Sequence, residues 1–195
     1  MEKFFKLFKK NLKTERLELR ILEPTMENAK LIWDAIKDQD PKNFKFIFWS
    51  PKYKKAFPES LRETYETMKQ DARDTAQHGV VWYVFYNGKL IGHHGVFYFD
   101  SNNSVQSGNI WFITSAQRHG FNSEIFKTIE NIAFEKLKAN RVAYQCDAKN
   151  IGSKKSIMKN GFHQDGRIRG SYKYPNGTYS DAFIFTKLAR EYNQK

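Results

Sequence analysis

The spacing of apolar and polar positions divides the chain into short strands and amphipathic helices. Apolar residues alternate with charged ones over residues 14–22, which predicts a half-exposed first strand. Apolar residues three or four positions apart predict a helix that begins after Pro24-Thr25 and another over residues 59–78. Asn87-Gly88 lies between two apolar runs, which is the strongest short signal for a β-hairpin. This hairpin and the apolar run over residues 105–113 together predict an antiparallel meander.

The following part of the chain, residues 110–162, has a different order of elements. A short strand leads through a polar turn to a long helix, a second strand and a shorter helix that ends at Asn160-Gly161. This order is typical of a parallel crossover unit. The turn before the long helix would present free backbone N–H groups and the positive end of the helix dipole, which suit a pyrophosphate. Two further strands are predicted over residues 162–169 and 178–186.

Two motifs in the crossover unit carry a family resemblance. Gln117-Arg118-His119-Gly120-Phe121-Asn122 resembles the Q/R-x-x-G-x-G/A pyrophosphate loop of the GNAT superfamily of acetyl-CoA-dependent N-acetyltransferases. Asn150-Ile151-Gly152-Ser153, followed by Asn160-Gly161-Phe162, resembles the N-x-x-S and x-G-F signature of the same superfamily. Together with the segment over residues 14–22, these motifs occur in an order similar to that of the Rim-type branch, which acetylates the N-termini of ribosomal proteins. The resemblance covers nearly the whole chain.

The resemblance implies a fold and a domain organisation. The fold would be α/β (α+β), with a GNAT-like, mixed but mainly antiparallel central sheet of about seven strands and helices on both faces. Residues 14–195 would form a single GNAT-like domain, preceded by a basic N-terminal extension over residues 1–13. In this extension phenylalanines alternate with lysines, so it would fray, pack on the domain, or form an amphipathic helix that touches a membrane or a ribosome.

The resemblance also implies which residues bind acetyl-CoA as co-substrate. The pyrophosphate cradle would consist of the loop residues Gln117, Arg118, His119, Gly120, Phe121 and Asn122. Gly120 lacks a Cβ and can lie close to a phosphate, whereas Arg118 and His119 would either add positive charge or face solvent. Asn122 departs from the Gly or Ala that is usual at its position. Backbone groups at Ile113 would meet the pantetheine arm, at an edge splayed away from the next parallel strand. Asn150 would cap its helix, bind the pantetheine, or do both.

The candidate catalytic residues match the family pattern less closely than the cofactor-binding residues do. By resemblance Ser153 would stabilise or protonate the departing thiolate, and otherwise it serves the helix cap. The strand over residues 106–111 lacks the carboxylate that many family members carry there. His93 and His94 are the nearest candidate bases, and we take His94 as the candidate, although a histidine that points into a core is also typical of a structural role. A reaction without a protein base is the alternative, because an α-amine with a pKa of about 7.7–8.0 is partly neutral near pH 7.

The acceptor pocket is expected in the irregular, aromatic segment over residues 40–58. In the resembled family the equivalent region forms the wall of the acceptor pocket. Phe48, Trp49 and Tyr53 are therefore candidate substrate-binding residues, and plain packing beneath a loop is the alternative.

Composition narrows the range of partners. Lys and Arg number 33 against 21 Asp and Glu, and the resulting charge of +12 favours anionic partners such as a nucleotide cofactor, RNA or an RNA-rich particle, unless it reflects only a solvated basic surface. The single cysteine, Cys146, allows no internal disulfide and fits a reducing, cytoplasmic location. No apolar run reaches the roughly 18 residues of a membrane-spanning helix. We expect no metal and no membrane partner, and either a monomer or a homodimer.

The favoured prediction is an N-acetyltransferase that moves acetyl from acetyl-CoA directly to an amine, above all to a protein N-terminal α-amine. A ribosomal protein would be one such acceptor. Acetylation of a small amine, such as a polyamine or an antibiotic, is the alternative within the same enzyme class. A non-catalytic GNAT-fold module that binds acetyl-CoA or RNA is the alternative from another class.

Overall fold

The structure is a computed structural model and describes residues 1–46, 58–174 and 176–192. The described residues form one eight-stranded sheet from β1 (Leu12–Lys13), β2 (Leu17–Arg20), β3 (Gly79–Tyr86), β4 (Lys89–Phe99), β5 (Ser104–Phe112), β6 (Arg141–Asp147), β7 (His163–Lys173) and β8 (Tyr179–Leu188). The strand order is β1-β2-β3-β4-β5-β6-β8-β7, and all neighbours are antiparallel except β5 and β6. The mixed, mainly antiparallel sheet is as predicted, with one strand more than the seven expected.

Helices cover both faces of the sheet, as predicted. They are α1 (Glu2–Phe8), α2 (Met26–Ile36), α3 (Leu61–Thr75), α4 (Phe121–Glu130, continued by a π-helical segment over Asn131–Leu137), α5 (Ile151–Lys159) and α6 (Ala189–Tyr192). On one face α1, α4 and α5 close the larger core, which includes Trp82 and Phe126. On the other face α2 and α3 close a second core, which includes Tyr83 and Trp111. Consecutive residues of one strand therefore point into different cores.

The N-terminal segment is packed into the larger core. Phe4 and Phe8 are both 0% exposed. The Phe4 ring stacks on Tyr98 with 5.3 Å between centroids, and the indole Nε1 of Trp82 donates a hydrogen bond to the Lys10 carbonyl at 2.8 Å. Burying each phenylalanine contributes about 2 kcal/mol. Of the roles considered for residues 1–13, the structure shows packing on the domain, and the lysines of α1 face outward.

Local signals explain where several elements begin and end. Asn87 and Gly88 have φ values of 49° and 74°, as a two-residue hairpin turn with both central residues at positive φ requires. The hydroxyl of Thr25 accepts from the Asn28 N–H at the start of α2, and that of Ser60 accepts from Glu63 at the start of α3. The latter helix starts later than the predicted range of 59–78 because this cap fixes its start, and it also ends earlier, at Thr75.

The two parallel strands separate after a short stretch of pairing. Their register runs from Ser104 opposite Arg141 to Ser107 opposite Tyr144, and no pairing with β6 is formed by residues 108–112 of β5. Asn109 has a φ of 51° and lies in an irregularity of the β4–β5 register. Such a bulge bends a strand and increases its twist. The splayed edge that the resemblance implied is therefore present.

Within the described ranges, no helix has both the length and the apolar character that a bilayer crossing needs. In the same residues no group of three or more His, Cys, Asp or Glu side chains is placed so that it could hold a metal ion.

Candidate active site

The start of α4 is an uncapped helix N-terminus. Gly120 is its N-cap residue, with a φ of 79°, and without a side chain it supplies no capping bond. Arg118 also has a positive φ, 66°, so the chain turns sharply just before the helix. The first N–H groups of a helix have no partner inside the helix, and the helix dipole places positive charge there. This turn therefore has the backbone geometry of an anion site.

The side chains of the loop mostly bond within the protein. Gln117 donates from Nε2 to the carbonyl of Phe112 at 3.1 Å, which ties the loop to the end of β5. The His119 ring bonds the Gln117 carbonyl through Nδ1 at 2.9 Å and stacks on Phe121. Phe121 itself is buried. The side chains of these three residues shape the loop, and the backbone N–H groups are what the loop presents to a ligand.

Arg16, just before β2, is a cation beside this loop that the sequence pattern did not reveal. Its guanidinium bonds Glu124 of α4 at 2.7 Å and the His119 carbonyl at 3.3 Å, and it lies 4.7 Å from the centroid of the Phe121 ring. Burial alone raises the pKa of Glu124, but hydrogen bonds from Thr14 and Arg16 outweigh burial and hold that pKa below its ordinary value. Arg16 and Glu124 are far apart in sequence, so only the fold could show this ion pair.

The second motif lies directly beside the first. Asn150 accepts the Ser153 N–H through Oδ1 at 3.1 Å, which confirms the predicted helix cap. Asn122 of α4 donates to the Ser156 hydroxyl of α5 at 3.4 Å, so its side chain joins the two helices. The Asn160 side-chain amide also donates a hydrogen bond to the hydroxyl of Ser123 in α4, at 3.0 Å. The N-terminal turn of α4 is therefore tied to the C-terminal half of α5.

Three side chains converge at the end of β6. Burial raises the pKa of the Cys146 thiol, while a hydrogen bond with Ser153 acts in the opposite direction. Burial also raises the pKa of Tyr172 in β7 to about 12, with a further contribution from the negative charge of Cys146 and Asp147. A phenol with this pKa stays protonated at neutral pH. Tyr172 is a half-buried phenol near Cys146 and Asp147 that sequence analysis missed, because the irregularity of β7 that places it is a tertiary feature.

Asp147 holds this end of the sheet together. Its carboxylate accepts hydrogen bonds from the Lys149 N–H and the Ser180 hydroxyl, both at 2.8 Å, and from the phenol of Tyr174 at 2.5 Å. The buried carboxylate thereby fixes the β7–β8 hairpin against the turn before α5. The one sequence signal that could have indicated this role of Asp147 is its position three residues before Asn150.

His94 lies inside the larger core. The ring is 0% exposed, meets Phe126 edge-on, and bonds the Ser107 hydroxyl through Nε2 at 2.6 Å. Burial, with a smaller contribution from His93, lowers the pKa of His94 to about 3. A ring with this pKa accepts protons poorly, and without exposed surface it does not meet an incoming amine. The environment therefore matches the structural role of a core histidine, and not the role of catalytic base.

Ile113 lies at one end of the free edge of β5. Its N–H bonds the Ile91 carbonyl and its carbonyl accepts from Ala116, both at 2.9 Å. The strand that faces the gap is thus residues 108–112, immediately before Ile113.

Phe48, Trp49 and Tyr53 lie outside the described residues. The segment that leads to them packs against the end of β5: Phe44 lies edge-on to Trp111, and Asn43 donates to the hydroxyl of Thr114 at 3.0 Å. Gln39 accepts from the Thr114 N–H at 2.9 Å.

Comparison with known proteins agrees with this geometry. The sequence model of the acetyltransferase (GNAT) domain family matches residues 16–163. The Bacillus subtilis (strain 168) protein YdaF, whose name describes a candidate ribosomal N-acetyltransferase, is 25% identical over 180 residues, which cover 91% of this chain and 94% of YdaF.

Solved structures share the fold. A candidate ribosomal-protein-serine acetyltransferase from Vibrio cholerae superposes with a TM-score of 0.71 at 18% identity and covers 91% of this chain and 97% of its own. The microcin C7 self-immunity acetyltransferase MccE, solved with acetyl-CoA and AMP, superposes with a TM-score of 0.73 at 18% identity, covering 89% and 93%.

The chain belongs to the GNAT acetyltransferase family. It is an acetyl-CoA-dependent acetyltransferase that transfers acetyl to an amine. The residues present fit this co-substrate, because an uncapped helix N-terminus with an adjacent arginine suits the pyrophosphate and the edge of β5 that has left β6 suits an extended arm with amide groups.

Proposed function

We propose that this enzyme acetylates the α-amine of a protein N-terminus. The observation that carries the proposal is the chemistry of the free edge of β5. Residues 108–112 contain no carboxylate, and the adjacent His94 is sealed in the core with a pKa lowered to about 3 by burial. Such an edge suits an amine that reaches the enzyme already neutral.

The pKa of the acceptor decides how much of it is reactive. An α-amine with a pKa of about 7.7–8.0 is neutral in roughly one molecule in eight at pH 7, whereas a lysine ε-amine with a pKa of about 10.4 is neutral in about one in 2,500. If no base among the described residues reaches the acceptor at this edge, the α-amine is therefore favoured by more than about a hundredfold.

The residues described above divide the remaining work. We assign the pyrophosphate to the backbone N–H groups that begin α4 and to Arg16, and the pantetheine to Asn150 and to the edge formed by residues 108–112. The amine nitrogen attacks the thioester carbon, the C–S bond breaks, and the amine proton passes to water. We assign to Ser153, in the first turn of α5, a hydrogen bond to the leaving thiolate, which then takes up a proton from water.

The names of similar proteins and the charge of the chain support a protein acceptor met in an RNA-rich setting in the cytoplasm. YdaF carries the name of a candidate ribosomal N-acetyltransferase, and the Vibrio cholerae protein that of a candidate ribosomal-protein-serine acetyltransferase. A net charge of +12 attracts an RNA-rich particle and repels free polyamines.

A matched set of acceptors tests the proposal. One lysine-free peptide carries a free α-amine, its partner has a blocked N-terminus and a single lysine, and a polyamine represents small amines. We expect thiol release only with the first, and mass spectrometry should locate the acetyl group on the α-nitrogen. Modification confined to lysine or to the polyamine would replace the proposal with the corresponding alternative.

A further inference from the structure

The bulge in β5 lies where the strand leaves its parallel neighbour. In the β4–β5 register Gly95 faces Gly108 and His93 faces Trp111, so Asn109 and Ile110 together face His94 alone. One extra residue in a strand leaves backbone groups outside the regular ladder. Asn109 has a φ of 51° and lies outside the regular β4–β5 ladder. Its carbonyl oxygen therefore needs a hydrogen-bond donor other than a ladder N–H of β4.

His93 supplies that partner from the smaller core. Its Nδ1 lies 2.6 Å from the Asn109 carbonyl oxygen, and the ring is 4% exposed. The ring stacks on Trp111 with 6.0 Å between centroids and meets Tyr83 edge-on at 5.1 Å. These aromatic contacts leave the imidazole no freedom to turn away from the bulge.

The other ring nitrogen faces a carboxylate. Nε2 of His93 lies 3.6 Å from Oδ2 of Asp71, a residue of α3 whose side chain is 19% exposed. A carbonyl oxygen only accepts hydrogen bonds, so Nδ1 carries a proton. If the ring were neutral, the lone pair on Nε2 would point at the Asp71 carboxylate, and a proton between them converts this repulsion into attraction.

The surroundings of the pair are compatible with a charged state. Asp71 borders a cavity of about 240 Å³ between α3 and the first strands, also lined by Glu23, Thr75 and Tyr83. Water in this cavity can solvate one side of the carboxylate, which lowers the cost of burying an ion pair. Among the described residues, the other titratable groups near the ring are Tyr83, whose pKa is raised by burial and by Asp71, and His94 on the opposite face of the sheet.

We propose that protonated His93 and Asp71 form an ion pair that holds the Asn109 bulge, and with it the free edge of β5, in the shape needed for acetyl transfer. The two residues are positioning residues and not the catalytic base, since Nδ1 of His93 bonds the Asn109 carbonyl, Nε2 faces the Asp71 carboxylate and the ring is only 4% exposed. The role of the edge in acetyl transfer rests on the proposed function. The pair itself rests only on the positions of His93, Asp71 and the Asn109 carbonyl.

The pair can be tested without any activity. In ¹⁵N-histidine-labelled wild-type protein at neutral pH, the long-range imidazole NMR spectrum should show both nitrogens of His93 protonated. In the Asp71→Asn variant the Nε2 proton should be lost while the Nδ1 proton stays. Asp74→Asn, an exposed residue of the same helix, is the matched control and should leave the spectrum unchanged. An unprotonated Nε2 in the wild type overturns the pair, whether or not the enzyme acetylates peptides.

Kinetics test the positioning role. We expect His93→Leu to lower kcat about 100-fold, and His93→Gln, which keeps one N–H donor, about tenfold, because a small misplacement of a reacting edge is costly. The Kd for acetyl-CoA should change by less than about threefold, since the pyrophosphate loop is untouched. Wild-type kcat in His93→Leu, or an equal loss of kcat and affinity in both variants, would refute positioning. A wild type that fails to bind acetyl-CoA refutes the proposed function instead, and the NMR result still decides the pair.

Discussion

The start of α4 and the free edge of β5 are adjacent parts of the candidate site, yet they are built in opposite ways. The helix start is polar and presents backbone groups that come from consecutive residues around Gly120. The free edge depends on an aromatic and titratable layer beneath it, with Asp71, Tyr83 and His93 contributed by three different elements.

This difference separates two tasks. Holding a pyrophosphate needs N–H groups and positive charge, and a turn with a single arginine, as at the start of α4, would suffice for it. Shaping a reactive edge needs a strained backbone, which persists only where surrounding contacts hold it in place. Variants of the first region should therefore change the affinity for acetyl-CoA, and variants of the second should change turnover.

The largest effect is expected at Gly120. Replacement by Trp places a bulky side chain at a φ of 79° and across the helix start, so we expect acetyl-CoA affinity to fall more than about 100-fold by calorimetry. Gly88→Trp is the matched control, because Gly88 has a similar φ of 74° and nothing within 4 Å of its would-be Cβ. Equal loss of binding in both variants would attribute the effect to backbone strain and not to the site.

A smaller loss is expected for Arg16→Ala, about tenfold in acetyl-CoA affinity, because one charged contact to the pyrophosphate disappears. The loss should shrink as salt rises. Arg20→Ala is the control: Arg20 has a similar side-chain exposure, 39% against 41%, and pairs with Glu18 away from the loop. Affinity that is unchanged in Arg16→Ala would confine Arg16 to the Glu124 contact and remove it from the site.

Asn150→Ala should reduce both stability and affinity. Loss of the α5 cap should cost about 1 kcal/mol of unfolding free energy in chemical denaturation. Thr25→Ala removes the equivalent cap of α2 at a similar cost, and it should leave acetyl-CoA binding unchanged. If the two variants bind acetyl-CoA equally well, Asn150 serves its helix alone.

The smallest effect concerns His94 and acid pH. Its folded pKa, lowered by burial to about 3, is below the unfolded value of about 6.5, so the unfolded chain binds a proton first and stability is lost as pH falls below that value. Between pH 7 and pH 6 this amounts to about 0.7 kcal/mol. Denaturation midpoints of His94→Gln should show a shallower decrease over that range, whereas His163→Gln, an exposed control, should follow the wild type. A large loss of kcat in His94→Gln with unchanged structure would restore it as a candidate base.

Much of the fold and part of the site could be predicted because the relevant signals are local. The Asn87-Gly88 turn, the caps at Thr25 and Asn150 and the uncapped start at Gly120 each depend on residues within one turn of chain. Where a prediction from the sequence failed to match the structure, the cause was long-range. His94 was a reasonable candidate base from its residue type, and only the contacts with Ser107 and Phe126 show that it is sealed in the core.

The sequence by itself determined most of the order of strands and helices, the crossover unit and the position of the turn before α4, because hydrophobic period and backbone preference act over a few residues. The tertiary structure alone decided that α1 packs into the core, that Arg16 meets Glu124, and that His93 lies between Asp71 and the Asn109 bulge. These contacts join residues that are distant along the chain. Neither the hydrophobic period nor the secondary-structure propensity of a segment specifies which distant residues meet. That is specified by the close packing of the two cores on opposite faces of the sheet.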